Sequence, residues 1–136
     1  MDPRTSLDTV GAGKYLSLTT FRADGTPVAT PVWLVRDGDV LRVLTGAASG
    51  KVKRLRNNPS ALVAPCDMRG RVRAGIIPVP ATVAFEDEAG TGETKSLMTK
   101  RYGLMGRILG WSNERRARKA GGGVTEDQGL RIRLEP

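Results

Sequence analysis

Residues 45–59 read Thr-Gly-Ala-Ala-Ser-Gly-Lys-Val-Lys-Arg-Leu-Arg-Asn-Asn-Pro, and four cations, Lys51, Lys53, Arg54 and Arg56, fall within six positions. Small residues precede them, so backbone N–H groups can approach a ligand with no side chain in the way. Ser49 is a natural N-cap. A helix opening behind it presents unpaired N–H groups and the positive end of its dipole, and phosphate is the group such a place takes. Val52 and Leu55, three apart, mark the side of the helix packed on the core. Lys51 and Arg54 are then expected toward a ligand, with Lys53 and Arg56 nearer solvent. A basic helix standing in water accounts for the same charges, and residue types alone leave both readings open.

Other chemistry is narrowly bounded. The 136 residues include no histidine and one cysteine, Cys66. Ser–His and Cys–His nucleophile pairs are therefore excluded, and a single thiol cannot assemble a thiolate metal site. No metal is expected, and no side chain is singled out as catalytic. A nucleotide-triphosphate loop fails too: three residues, not four, separate Gly46 from Gly50, and Val52 stands where a magnesium-binding hydroxyl is needed. An enzyme made from this chain must lean on a cofactor or on carboxylates. The net charge of +8 calls for an anionic partner. Aromatic residues make up only 4%, few for stacking on single-stranded nucleic acid, so a small molecule is expected rather than nucleic acid. The rival is duplex binding by the Lys51–Arg56 helix together with Arg115, Arg116, Arg118 and Lys119.

The elements that must carry such a site can be read in outline. Length and an apolar share of 39% suit one domain over 1–136. No apolar run approaches the roughly 20 residues of a membrane span, the start lacks a signal-peptide core, and a lone cysteine fits a reducing compartment. A cytoplasmic protein is expected. Leu16, Leu18 and Thr20 share one face of a strand within 14–22, and Asp24-Gly25 turns the chain. A second strand follows over 26–36; its Pro27 and Pro31 require an edge, a bulge or an opening. A third strand from Val40 completes an antiparallel meander. The basic helix stops at Asn57-Asn58-Pro59. A strand over 60–66, a turn at 67–70, one or two strands within 71–86 and an acidic loop over 86–93 come next. A helix over 91–103 has Leu97, Met98 and Tyr102 as its buried edge, and a closing strand spans 130–134. Six or so strands with two helices predict a mainly β fold, a small antiparallel barrel. Residues 111–129 carry no assignment.

The pattern of Thr45, Ser49, Lys51, Lys53, Leu55, Asn58 and Pro59 resembles the flavin-phosphate segment of pyridoxamine 5′-phosphate oxidases. The stretch "TPVATPVWLV" before it looks like the strand lying along the flavin ring in that superfamily. With "APCDMRG" and "KRYGLMGR", the chain is similar to the short actinobacterial deazaflavin-dependent oxidoreductases, which use coenzyme F-420 in place of FMN. The resemblance covers most of residues 13–110 and the last strand. It implies a split β-barrel that forms a homodimer, with cofactor sites in grooves at the subunit interface. It also implies that Thr45, Gly46, Ser49, Gly50, Lys51 and Arg54 hold the phosphate end, while backbone groups of Thr30, Pro31 and Val32 border the ring. The implied activity is hydride transfer to an unsaturated small-molecule substrate. An FMN enzyme of the same fold, or a non-catalytic cofactor-binding protein, is the alternative. Tyr102 is either a proton donor near the ring or a core contact, and Cys66 reads as a small buried residue on its strand. Trp111 either covers the neighbouring subunit's cofactor or anchors the C-terminal region. The stretch "AGIIPVPATV" departs from the family's glycine-containing strand start, which puts the substrate side in question.

Overall fold

The computed structural model describes residues 3–109 and 126–135. Strands β1 (Tyr15–Phe21), β2 (Pro27–Trp33), β3 (Val35–Asp37), β4 (Val40–Gly46), β5 (Ser60–Pro65), β6 (Val79–Phe85) and β7 (Asp127–Leu134) form one sheet. Its order is β2-β1-β5-β6-β7-β4-β3, with every pairing antiparallel. Helices α1 (Pro3–Gly11), α2 (Gly50–Asn57) and α3 (Glu88–Leu109) complete the described chain. β2 and β3 end the sheet at opposite sides, yet only Leu34 separates them in sequence. The chain thus carries the two edges to one place, and the sheet curls into a split barrel.

This closure corrects the single strand expected over 26–36. The strand changes partners at Leu34, which is fully buried and donates its N–H to the Lys14 carbonyl at 3.3 Å. Before it, β2 pairs with β1; after it, β3 pairs with β4. Among the described residues β2 pairs on one side only, which is how Pro27 and Pro31, lacking N–H donors, are tolerated.

Strand alternation builds the core. Leu16, Leu18 and Thr20 on β1 are fully buried, and the two leucines pack with Val32, Leu41, Val43, Val63, Val83, Leu130 and Ile132. Leu55 of α2 and Leu7 and Val10 of α1 join the same cluster. Each such aliphatic side chain contributes about 1.5–3 kcal/mol through burial. β4 is buried along its whole length, because α3 covers the face turned away from this core. There Leu44, Val35 and Met98 form a second cluster, flanked by Leu97 and Tyr102, the helix edge expected from sequence.

Three local expectations are revised. Helix α1 had no counterpart in the sequence reading, although Pro3 holds its first position and Leu7 and Val10 lie three apart on its buried side. The acidic stretch over 86–93 is mostly helix, not loop. Asp87 caps α3 by accepting the Gly90 N–H on Oδ1 at 2.7 Å, and its carbonyl accepts the Thr91 N–H at 2.8 Å, which offsets the helix-weakening glycines. Within 71–86 only β6 forms, and β7 begins at Asp127 instead of Leu130. No helix among the described residues is long and apolar enough to cross a membrane.

Candidate functional site

The chain leaves β4 at Gly46, turns through Ala47 and Ala48, and enters α2 behind Ser49. Backbone bonds shape the turn: Ser49 N–H donates to the Gly46 carbonyl at 3.0 Å, and Ala47 N–H to the Glu126 carbonyl at 2.7 Å. Ser49 caps the helix as expected, its Oγ accepting the Val52 N–H at 3.4 Å and lying 3.5 Å from Thr45 Oγ1. Val52 and Leu55 are fully buried or nearly so and anchor α2 on the barrel. Lys51 is also buried, at 7% exposure, beside that apolar face. Lys53 and Arg56 stand exposed, the latter over the Phe85 ring at 5.3 Å.

Arg54 is half-buried and folds back toward the start of its own helix, the direction helical side chains take. Its Nε donates to Thr20 Oγ1 on β1 at 2.6 Å. Its guanidinium lies over Gly50 so closely that a Cβ there would come within 2.8 Å of Nη1. Bare backbone at Gly50 thus makes room for the cation above the first turn. Burial, together with the neighbouring Arg22 charge, holds the Arg54 pKa below its usual value. Among the described residues, neither arginine has a carboxylate in ion-pair range. The Arg54 cation thus lies over a capped helix start, a place that a phosphate fits and neutralises.

The predicted ring-bordering residues lie on the neighbouring strand. Thr20, which holds Arg54, pairs with Val28 of β2; Thr30, Pro31 and Val32 follow, opposite Leu18, Ser17 and Leu16. Val32 points into the core at 8% exposure, while Thr30 and Pro31 are half-buried. Gly70 approaches the Pro31 ring; a Cβ there would lie 3.4 Å from it. The fold therefore brings the Thr45–Arg54 set to one end of β2 and places Thr30–Val32 along the strand from it.

Arg22 and Thr20 were missed as parts of this set. Arg22 merely ends a strand ahead of a turn, and no spacing ties it to a helix more than two dozen residues onward. Tyr102 resolves toward its packing role: its hydroxyl donates to the Leu34 carbonyl and lies 3.3 Å from that of Lys14, and its ring sits 4.3 Å from Trp33. Burial raises its pKa. Cys66 sits one residue beyond β5 and is half-buried. Trp111, Arg115, Arg116, Arg118 and Lys119 lie outside the described residues.

A split antiparallel barrel with a phosphate-fitting helix start beside its edge strand defines a fold that holds flavin-type cofactors. The chain belongs to the pyridoxamine 5′-phosphate oxidase family, whose model matches residues 8–119. Its structure is similar to that of the heme storage protein HutZ from Vibrio cholerae, with a TM-score of 0.66 and 16% identity over 99% of this chain and 90% of that one. A FAD-binding protein from Mesorhizobium loti gives 0.64 and 15% over 100% and 91%. An F-420 reductase gives 0.54 and 20% over 96% and 93%. At these identities the likeness concerns the fold. No curated protein matches.

Proposed function

We propose that the protein is a coenzyme F-420-dependent oxidoreductase of the short actinobacterial type. The observation that carries this is the Arg54 guanidinium, with no carboxylate in ion-pair range among the described residues, folded over Gly50 at the capped start of α2. Thr45, Gly46, Ser49, Gly50, Lys51 and Arg54 would hold the phosphodiester end, and backbone groups of Thr30, Pro31 and Val32 would border the deazaflavin ring. When bound, the reduced coenzyme supplies a hydride to one carbon of an unsaturated acceptor. The chain's own residues neutralise the phosphate, fix the ring against β2 and exclude water, and no histidine is needed for that work. The net charge of +8 suits a coenzyme with a phosphodiester and a polyglutamate tail. The reading includes a homodimer, with a second copy facing the edge of β2 that no described strand pairs.

An FMN enzyme is the second reading, since the same α2 socket suits a monophosphate. Titrating both coenzymes side by side separates the two, with tryptophan fluorescence as the signal, since Trp33 adjoins Val32. Tighter binding of F-420 is expected. Tighter binding of FMN would replace this reading with the second, and quenching by neither would remove both. Lys51→Met keeps the buried side-chain volume while deleting its charge. It should weaken coenzyme binding about tenfold or more, the scale of a charge-assisted hydrogen bond, in a variant that still unfolds cooperatively in urea.

A further inference from the structure

Between α1 and the segment following β5 lies a cavity of about 510 Å³, lined by Thr9, Cys66, Arg71, Val72, Arg73 and Ile76 among others. Its size is that of a small-molecule site. The wall holds two arginines and one carboxylate, and that carboxylate, which also feels the Arg71 charge, is held chiefly by backbone donors. Asp67 Oδ1 accepts the backbone N–H groups of Arg69 and Arg71 at 2.8 and 2.9 Å. Among the described residues, no ion pair or hydrogen bond engages the Arg71 or Arg73 guanidinium.

The cavity's position is as informative as its lining. Pro65, also in its wall, pairs with Leu16, which pairs in turn with Val32. Two strand spacings, roughly 10 Å, therefore separate the wall from the last ring-bordering residue. At the far end of β2, Val28 pairs with Thr20, which holds Arg54. Val28 and Val32 are about 13 Å apart along the strand, so cavity and phosphate socket flank Thr30–Val32 from opposite ends.

We propose that this cavity is the acceptor site and that it takes an unsaturated carboxylic acid, with its carboxylate on Arg71 and Arg73, its apolar body on Pro65, Val72 and Ile76, and its double bond directed toward β2. The acceptor role rests on the reading of α2 as the coenzyme socket. Pairing the carboxylate with guanidinium withdraws charge from the conjugated double bond and favours hydride addition. The balance is closed: one alkene carbon gains the hydride, the other a proton from water, the π bond is lost, and the deazaflavin leaves oxidised by two electrons.

Cys66 is the chain's one thiol and lines the cavity, so its alkylation by iodoacetamide reports occupancy. In coenzyme-free protein, trans-cinnamate at several times its dissociation constant should slow alkylation about fivefold or more, and the neutral methyl ester at equal concentration should do far less. Arg71→Ala/Arg73→Ala should raise the cinnamate concentration required about tenfold or more, leaving the urea midpoint and the coenzyme titration unchanged. Both side chains are exposed, and the backbone bonds of the turn persist in alanine. Equal protection by acid and ester, no protection by either, or an unaffected double variant overturns the proposal. A failed coenzyme titration with cinnamate protection intact overturns the acceptor role and the α2 reading but supports the carboxylate site. A normal titration with Cys66 unprotected overturns the site and spares the α2 reading.

Discussion

Arg42 shows what a buried charge demands of its surroundings. At 2% exposure it lies under α3, with carboxylate oxygens of Asp37, Glu86 and Glu93 at 3.1, 3.7 and 3.5 Å. The Glu86 side chain is 4% exposed and accepts the Thr94 hydroxyl at 2.6 Å. Arg42→Met would leave that carboxylate without its cation. The expected cost is about 3–5 kcal/mol in urea unfolding, and Arg42→Met/Glu86→Leu should recover much of it. An unchanged midpoint in the single variant would remove Arg42 from this role. Cys66 offers a second residue-scale test. Burial, aided by Asp67, pushes its thiol up to about 11. An unfolded thiol loses its proton near pH 9, so the folded state binds more protons between about pH 9 and 11 and stability falls as pH rises through that window. Alkylation should accordingly keep accelerating up to about pH 11 in native protein. In urea the same curve should level off near the ordinary thiol value.

At the scale of elements, α2 joins the core to the anion socket. Val52 and Leu55 hold one side of it, the Ser49 cap orders its start, and Arg54 ties it to β1 through Thr20. Gly50→Ala separates these functions. The new methyl would displace the Arg54 guanidinium, which is the far end of a flexible side chain. Alanine is meanwhile favoured over glycine in helices by up to about 1 kcal/mol. Stability should hold or rise while coenzyme affinity falls several-fold. A loss of both together would show that Gly50 serves the fold and not the socket.

At the scale of the whole molecule, a charge of +8 surrounds a site proposed for an anion. Raising salt from roughly 0.05 to 0.5 M shortens electrostatic reach severalfold, so coenzyme affinity should drop by about an order of magnitude while the urea midpoint changes little. Salt-independent binding would mean that the ring contacts alone hold the coenzyme. The rival nucleic-acid reading makes the complementary demand of duplex binding with a steep salt slope, and its absence in low salt would dispose of it.

How much could be read from residue order follows the range of each interaction. The Ser49 cap, the Val52–Leu55 anchor, the Asn58 stop and the Leu16–Leu18–Thr20 face are near-neighbour effects, written in spacings of one to four residues, and all are present in the molecule. Of the edge, bulge or opening that Pro27 and Pro31 require, the fold supplies an edge. The acidic stretch misled because its glycines argue for loop until the Asp87 cap is weighed against them. What lay beyond reach joins residues distant in sequence. Leu34 as the point of barrel closure, Thr20 beneath Arg54, Arg42 beneath α3 and Arg71 and Arg73 around a cavity exist only once strands have paired. Local chemistry is encoded in side-chain type and period; which charges meet is set by packing, because a strand carries no mark of its partner.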